Sequence, residues 1–273
     1  HFHVNATICL VFRITIELTN NNKETETSMN NSIQRHTLWQ TIGLHLIPGM
    51  LFTIFYILSA PLVAKAGYPT YMAILLAIFV VLIPVELGIL LNEGKRKTGR
   101  FTLDGIVLNR EQLPLWQYIV FGVVLIGWCG LVFVGLSDMD AAIIRQYFSW
   151  IPSVWMLNGD PEILSQFPRT AVVVTIIAGL LLNGIAGPVV EELYFRGYLL
   201  PRIPSSRAWA PVINAVLFSL YHFFSPWQNI TRILALLPMV YAVSWKRNIY
   251  LSIVVHCSIN IIGMLPLIPL LAG

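Results

Sequence analysis

Apolar residues run through this chain in long stretches broken by short polar segments, with neither the alternation of a half-buried strand nor a repeat of 20 to 50 residues. The runs predict helices at about 39–64, 71–92, 116–136, 170–200, 210–224, 229–244 and 249–271. An apolar helix of about 20 residues crosses the hydrocarbon core of a bilayer. The pattern therefore predicts an all-α fold, a polytopic transmembrane helix bundle of about seven spans.

Composition agrees with that reading. Of 273 residues, 56% are hydrophobic and 11% charged, against roughly 25% charged in a soluble domain. The net charge of +4 could suit a nucleic acid, but the basic residues sit between the apolar runs, where they set topology instead, so no nucleic-acid partner is expected. With the first span starting in the cytoplasm, the inner side carries Lys95, Arg96, Lys97, Arg100, Arg110, Arg202, Arg207, Lys246 and Arg247. The outer side carries Lys65, Arg145, Arg169 and Arg232. That imbalance predicts a cytoplasmic N-terminus and an outer C-terminus in the cell membrane. The long outer segment, 137–169, also holds Asp138, Asp140, Asp160 and Glu162, and is expected to contain an interfacial helix anchored by Trp150 and Trp155. Cys9, Cys129 and Cys257 have no CxxC spacing and read as packing residues. Before the first span, the apolar patch is interrupted by Arg13 and is too short to cross. Met29 is the candidate natural start, and residues 1–28 are expected to be an extension, not a signal peptide.

Three polar groups interrupt the C-terminal half: EELYFR (Glu191 to Arg196), FSLYH (Phe218 to His222) and HCSIN (His256 to Asn260). An unpaired charge in lipid costs several kcal/mol, so each group needs a reason. Residues four apart share a helical face, so Glu192 can pair with Arg196, and His256 and Asn260 can face one cavity. Glu191 lies about 100° round from Glu192 and requires a partner from another helix. Singly, each has a bland explanation: an ion pair at a span end, a packing histidine, an amide joining two helices. Together they coincide in depth, with Glu191, His222 and His256 about 14, 17 and 11 Å from their cytoplasmic helix ends. Gly184, Gly187 and Pro188 permit close helix approach and a bend beside them. Glu86, after Pro84, is an intramembrane carboxylate able to reach the interface, and His45 has no matching partner within its own span. The run Gly94 to Arg100, GKRKTGR, lacks P-loop spacing and reads as a topology determinant at anionic lipid.

A carboxylate in a partly desolvated pocket is suited to taking a proton from water, and an imidazole can share that water. Donors on a further helix would then hold an oxyanion. Amide hydrolysis without a covalent intermediate fits this set, since there is no GxSxG elbow. A zinc version would use Glu191, His222 and His256 as ligands, but HExxH is missing.

In that order the motifs read EExxxR, FxxxH and HxxxN, and over residues 170–263 the chain resembles the CPBP family of CAAX proteases and bacteriocin-processing enzymes, also called Abi, which includes the type II CAAX prenyl endopeptidases. The resemblance implies an intramembrane endopeptidase with a cytosol-facing cavity, acting on a peptide or membrane-protein substrate. It implies that Glu191 and His222 activate water, that His256 and Asn260 form the oxyanion site, and that Glu192 and Arg196 support them. It implies no cofactor, zinc being the alternative. Spans within 29–169 would then scaffold a catalytic core at 170–273. The competing readings are a non-catalytic scaffold or bacteriocin immunity protein, and a small transporter, against which the lack of inverted repeats weighs.

Overall fold

The computed structural model describes residues 33–156 and 161–271; the extension 1–28, Met29, Cys9 and Asp160 lie outside that range. Each of the seven predicted runs contains a helix. In chain order they are α1 (Leu38–Lys65), α2 (Tyr71–Thr98), α3 (Leu115–Gly135), α4 (Arg169–Arg202), α5 (Ala210–Tyr221), α6 (Asn229–Lys246) and α7 (Ile249–Leu271). The described residues contain no strand, only an isolated bridge between Arg110 and Asn248.

Local chemistry sets several ends. Thr37 and Gln40 form a reciprocal capping box at the start of α1. Asn248 accepts the Leu251 amide at the start of α7. Helix α2 runs beyond its apolar stretch because Glu93 pairs with Arg96 and Lys97, three and four residues on, and stops where Gly99 turns left-handed at φ 75°. Lys95, Arg96 and Lys97 thus lie on the last turn of a helix and not in a loop.

Five helices, α1 to α4 and α7, are long and apolar enough to cross a membrane. Helix α5 differs from its expected 210–224. It has 12 residues, which rise about 18 Å against a hydrocarbon thickness of about 30 Å. The chain turns at His222 and returns through α6, so α5 and α6 form a hairpin within the bundle. Irregular backbone at such depth persists only where protein buries it or where it lines a wet cavity.

Helix α4 forms the centre. Its Tyr194, Phe195 and Leu199 are wholly buried and pack with Phe218, Val240, Val243 and Val255 from α5, α6 and α7. A second cluster joins α1 to α2 through Phe52, Tyr56, Ile74 and Ile78. Outward faces are apolar as well. Leu115, Val123 and Val134 of α3 are mostly exposed, which suits contact with lipid. Gly49 lets α1 approach α5, since a Cβ there would collide with the Tyr221 carbonyl. The segment after α3 contains a helix over Ser137–Ile143 that continues as a π-helix over Ile144–Phe148, with short helical turns at Ser153–Trp155 and Pro161–Leu164. Trp155 donates to the Ile57 carbonyl at 3.0 Å, and Trp150 is exposed.

Candidate active site

Helix α4 changes pitch around the two glutamates. It is α-helical over Arg169–Leu181, opens to π over Leu182–Ala186, recovers over Gly187–Glu191, and opens again over Glu192–Leu199. Pro188 has no N–H to give the preceding turn, which favours the first opening. The second is held from outside. Asn109 donates its side-chain amide to the Arg196 carbonyl at 3.1 Å, the Leu108 amide to the Gly197 carbonyl at 2.8 Å, and Asn214 to the Phe195 carbonyl at 3.1 Å. Carbonyls loosened by the wider turn therefore find donors in a loop and in α5.

This geometry brings both carboxylates to one imidazole. His256, on α7, bonds Glu192 through Nδ1 at 2.9 Å and faces Glu191 through Nε2 at 3.8 Å. It is the interhelical partner that Glu191 lacked on its own helix. Glu192 also lies 3.3 Å from Arg196, four residues on, and both side chains are wholly buried. None of the Arg196 nitrogens makes a well-directed hydrogen bond with a described residue, so this contact is an ion pair only. The guanidinium instead stacks 4.0 Å from the Phe218 ring centre.

His222 caps α5, and its Nδ1 lies 2.8 Å from the Phe218 carbonyl. A carbonyl only accepts, so that bond assigns a proton to Nδ1, and in the neutral ring Nε2 is the acceptor. Asn260, one turn beyond His256, donates to the Asn183 carbonyl at 2.8 Å. Glu191, His222, His256 and Asn260 line one cavity of about 290 Å³, whose wall takes residues from all seven helices. Glu192 and Arg196 stand behind it.

Among the described residues no group of three His, Cys, Asp or Glu side chains is arranged to hold a metal ion. The Nδ1 bond from His256 to Glu192 leaves Nε2 directed at Glu191.

Arg232 enters the site although the sequence placed it elsewhere, and Glu86 and His45 are buried behind it. Arg232, assigned to the outer loops, is 7% exposed and lines the cavity, bonding Ser225 at 2.8 Å and Gln228 at 3.3 Å. The polar run from Ser225 to Arg232, too dense for the end of a plain span, was the available signal. Glu86 does not reach the interface. It is wholly buried and accepts the Tyr221 hydroxyl at 2.9 Å. His45 bonds the Thr41 carbonyl of its own helix through Nδ1 at 2.7 Å and meets Asn214 of α5 through Nε2 at 3.1 Å.

Residues 173–262 match the family described as type II CAAX prenyl endopeptidase Rce1-like. The chain is also 31% identical over 113 residues to the UPF0177 protein YxdF of Lactococcus lactis subsp. lactis (strain IL1403), covering 41% of this chain and 59% of that protein. The chain thus spans about 59% of the length of that curated relative. No solved structure matches. EExxxR, FxxxH and HxxxN all lie inside the matched residues, so the C-terminal region of this membrane protein is similar to the Rce1-like type II CAAX prenyl endopeptidases.

Proposed function

We propose that the chain is an intramembrane endopeptidase that hydrolyses peptide bonds with water activated by Glu191 and His222. One observation carries this reading: side chains from α4, α5 and α7, remote in sequence, line a single cavity inside the helix bundle. Membrane-buried polar residues that converge on a cavity are explained by chemistry more readily than by packing.

Glu191 takes a proton from water while Nε2 of His222 orients it, and the hydroxide oxygen bonds the substrate carbonyl carbon. Asn260 has a second N–H beyond the one given to Asn183, and this supports the growing oxyanion beside His256. The C–N bond then breaks, and the proton held by Glu191 passes to the leaving nitrogen. Glu192 and Arg196 position His256 from behind. The basic end of the bundle faces the cytosol in this proposal, and so does entry to the cavity. The substrate is a peptide or a membrane protein at that face.

The full chain, purified in neutral detergent, is incubated with peptide and membrane-protein libraries with and without chelator, beside Glu191→Gln and His222→Ala. Chelator-resistant cleavage that both substitutions remove is the expected result. Cleavage that survives both overturns the site, and cleavage removed by chelator overturns the metal-free mechanism.

A further inference from the structure

A second, larger cavity of about 850 Å³ lies among helix ends and loops at the basic end of the bundle. Three arginines from separate segments line it: Arg35 before α1, Arg202 at the end of α4, and Arg207 in the next loop. Among the described residues none of the three forms an ion pair with a carboxylate. The other bases there are already matched, Lys97 with Glu93, Arg110 with Asp104 and Arg247 with Glu111. Glu111 is the only carboxylate on the wall among the described residues.

Arg202 separates this cavity from an ordinary solvated patch. It is 3% exposed, gives one N–H to the Tyr198 carbonyl at 2.7 Å, and lies 4.4 Å over the Tyr198 ring. Glu93 acts on Arg202 only from beyond ion-pair distance. A buried guanidinium with no carboxylate in direct contact is costly, and an anion shared with nearby cations relieves that cost. Backbone contacts fix the arrangement. The His36 amide bonds the Arg202 carbonyl at 2.8 Å, and Arg35 donates to the Ser205 carbonyl at 3.1 Å. Planar forks from separate directions suit a tetrahedral, doubly bonded acceptor better than a single carboxylate. The volume exceeds a bare phosphate and admits a headgroup with its glycerol.

We infer that this vestibule is a binding site for a phosphate-bearing anion, held by Arg35, Arg202 and Arg207. The ligand is a phospholipid headgroup entering from the adjoining leaflet or a free phosphate entering from solvent. The site stands apart from the catalytic cavity, and its fate is independent of the peptidase reading.

The test uses the full chain and two arms. In one, nanodiscs of phosphatidylcholine are compared with nanodiscs containing phosphatidylglycerol; in the other, inorganic phosphate is titrated in neutral detergent against chloride of equal ionic strength. Melting temperature and native mass spectrometry are the readouts. Stabilisation in the first arm alone identifies lipid, and in the second alone identifies free phosphate. Arg202→Gln, and separately the exposed pair Arg35→Gln with Arg207→Gln, should weaken half-saturation at least tenfold. Arg145→Gln, exposed on the outer segment, should leave it unchanged. The double variant keeps the test decisive if Arg202→Gln does not fold. No response in either arm overturns the site, and so does an equal loss in Arg145→Gln.

Discussion

Glu192 and Arg196 illustrate how a buried ion pair depends on both members. Each is wholly buried, and the pair relies on charge and the Phe218 face more than on directed hydrogen bonds. Removing one leaves an uncompensated charge, so Arg196→Met should lower stability by about 3–5 kcal/mol. Adding Glu192→Leu should recover much of the loss, as read by denaturant unfolding in detergent. Glu191→Gln retains shape but cannot take a proton; turnover should fall by about 10²–10⁴ with melting temperature little changed. Outside the spans, His36 is held from its ordinary 6.5 down to about 4, first by burial and then by Arg202, with Glu93 opposing. A folded-state value below the unfolded one means that the unfolded chain binds the extra proton first. Its effect is absent above pH 6.5, and stability declines as pH falls from there to about 4. His36→Gln should flatten that part of a melting-temperature profile.

At the level of elements, the site depends on how α4, α5 and α1 are kept in place. Asn214 serves the Phe195 carbonyl and His45 together. Asn214→Leu leaves both without that donor, at about 1–3 kcal/mol, and releases one restraint on the π turn beneath the glutamates. Activity should drop more than stability alone accounts for, and Asn214→Asp should not restore it, because a carboxylate has no N–H to give. Gly49→Ala places a methyl against the Tyr221 carbonyl, next to His222, whereas Gly88→Ala meets open space. The first should reduce both turnover and melting temperature, and the second should leave both near the parent values. Equal behaviour of the two would show that the α1 to α5 approach does not position His222.

Across the whole molecule, the basic cavity joins the start of α1 to the ends of α2, α4 and α6 at one end of the bundle. The outer segment meets the bundle elsewhere, through Trp155 to α1 and Asp140 to Thr231 of α6. The proposed orientation puts the basic end in the cytosol. Cysteines introduced at the exposed positions Arg207 and Arg145 test it with an impermeant maleimide. Arg145→Cys should label on intact cells and Arg207→Cys only after permeabilisation. The reverse pattern would place the catalytic cavity on the opposite face.

The sequence alone determined the helical class, the positions of seven apolar helices and the three motifs, because hydropathy and helical spacing are local properties. It also indicated that Glu191 needed a partner from another helix. Which partner was decided by tertiary structure: His256 meets both glutamates because α4 widens its turn under restraints from Asn109, Leu108 and Asn214. The short α5 was likewise beyond local reading, since a hydropathy window across Tyr221 to Phe224 continues where the backbone turns at His222. Arg232 and Arg202 looked like topology charges for the same reason. Burial of a charge is a property of what surrounds it, and those surroundings come from helices distant along the chain.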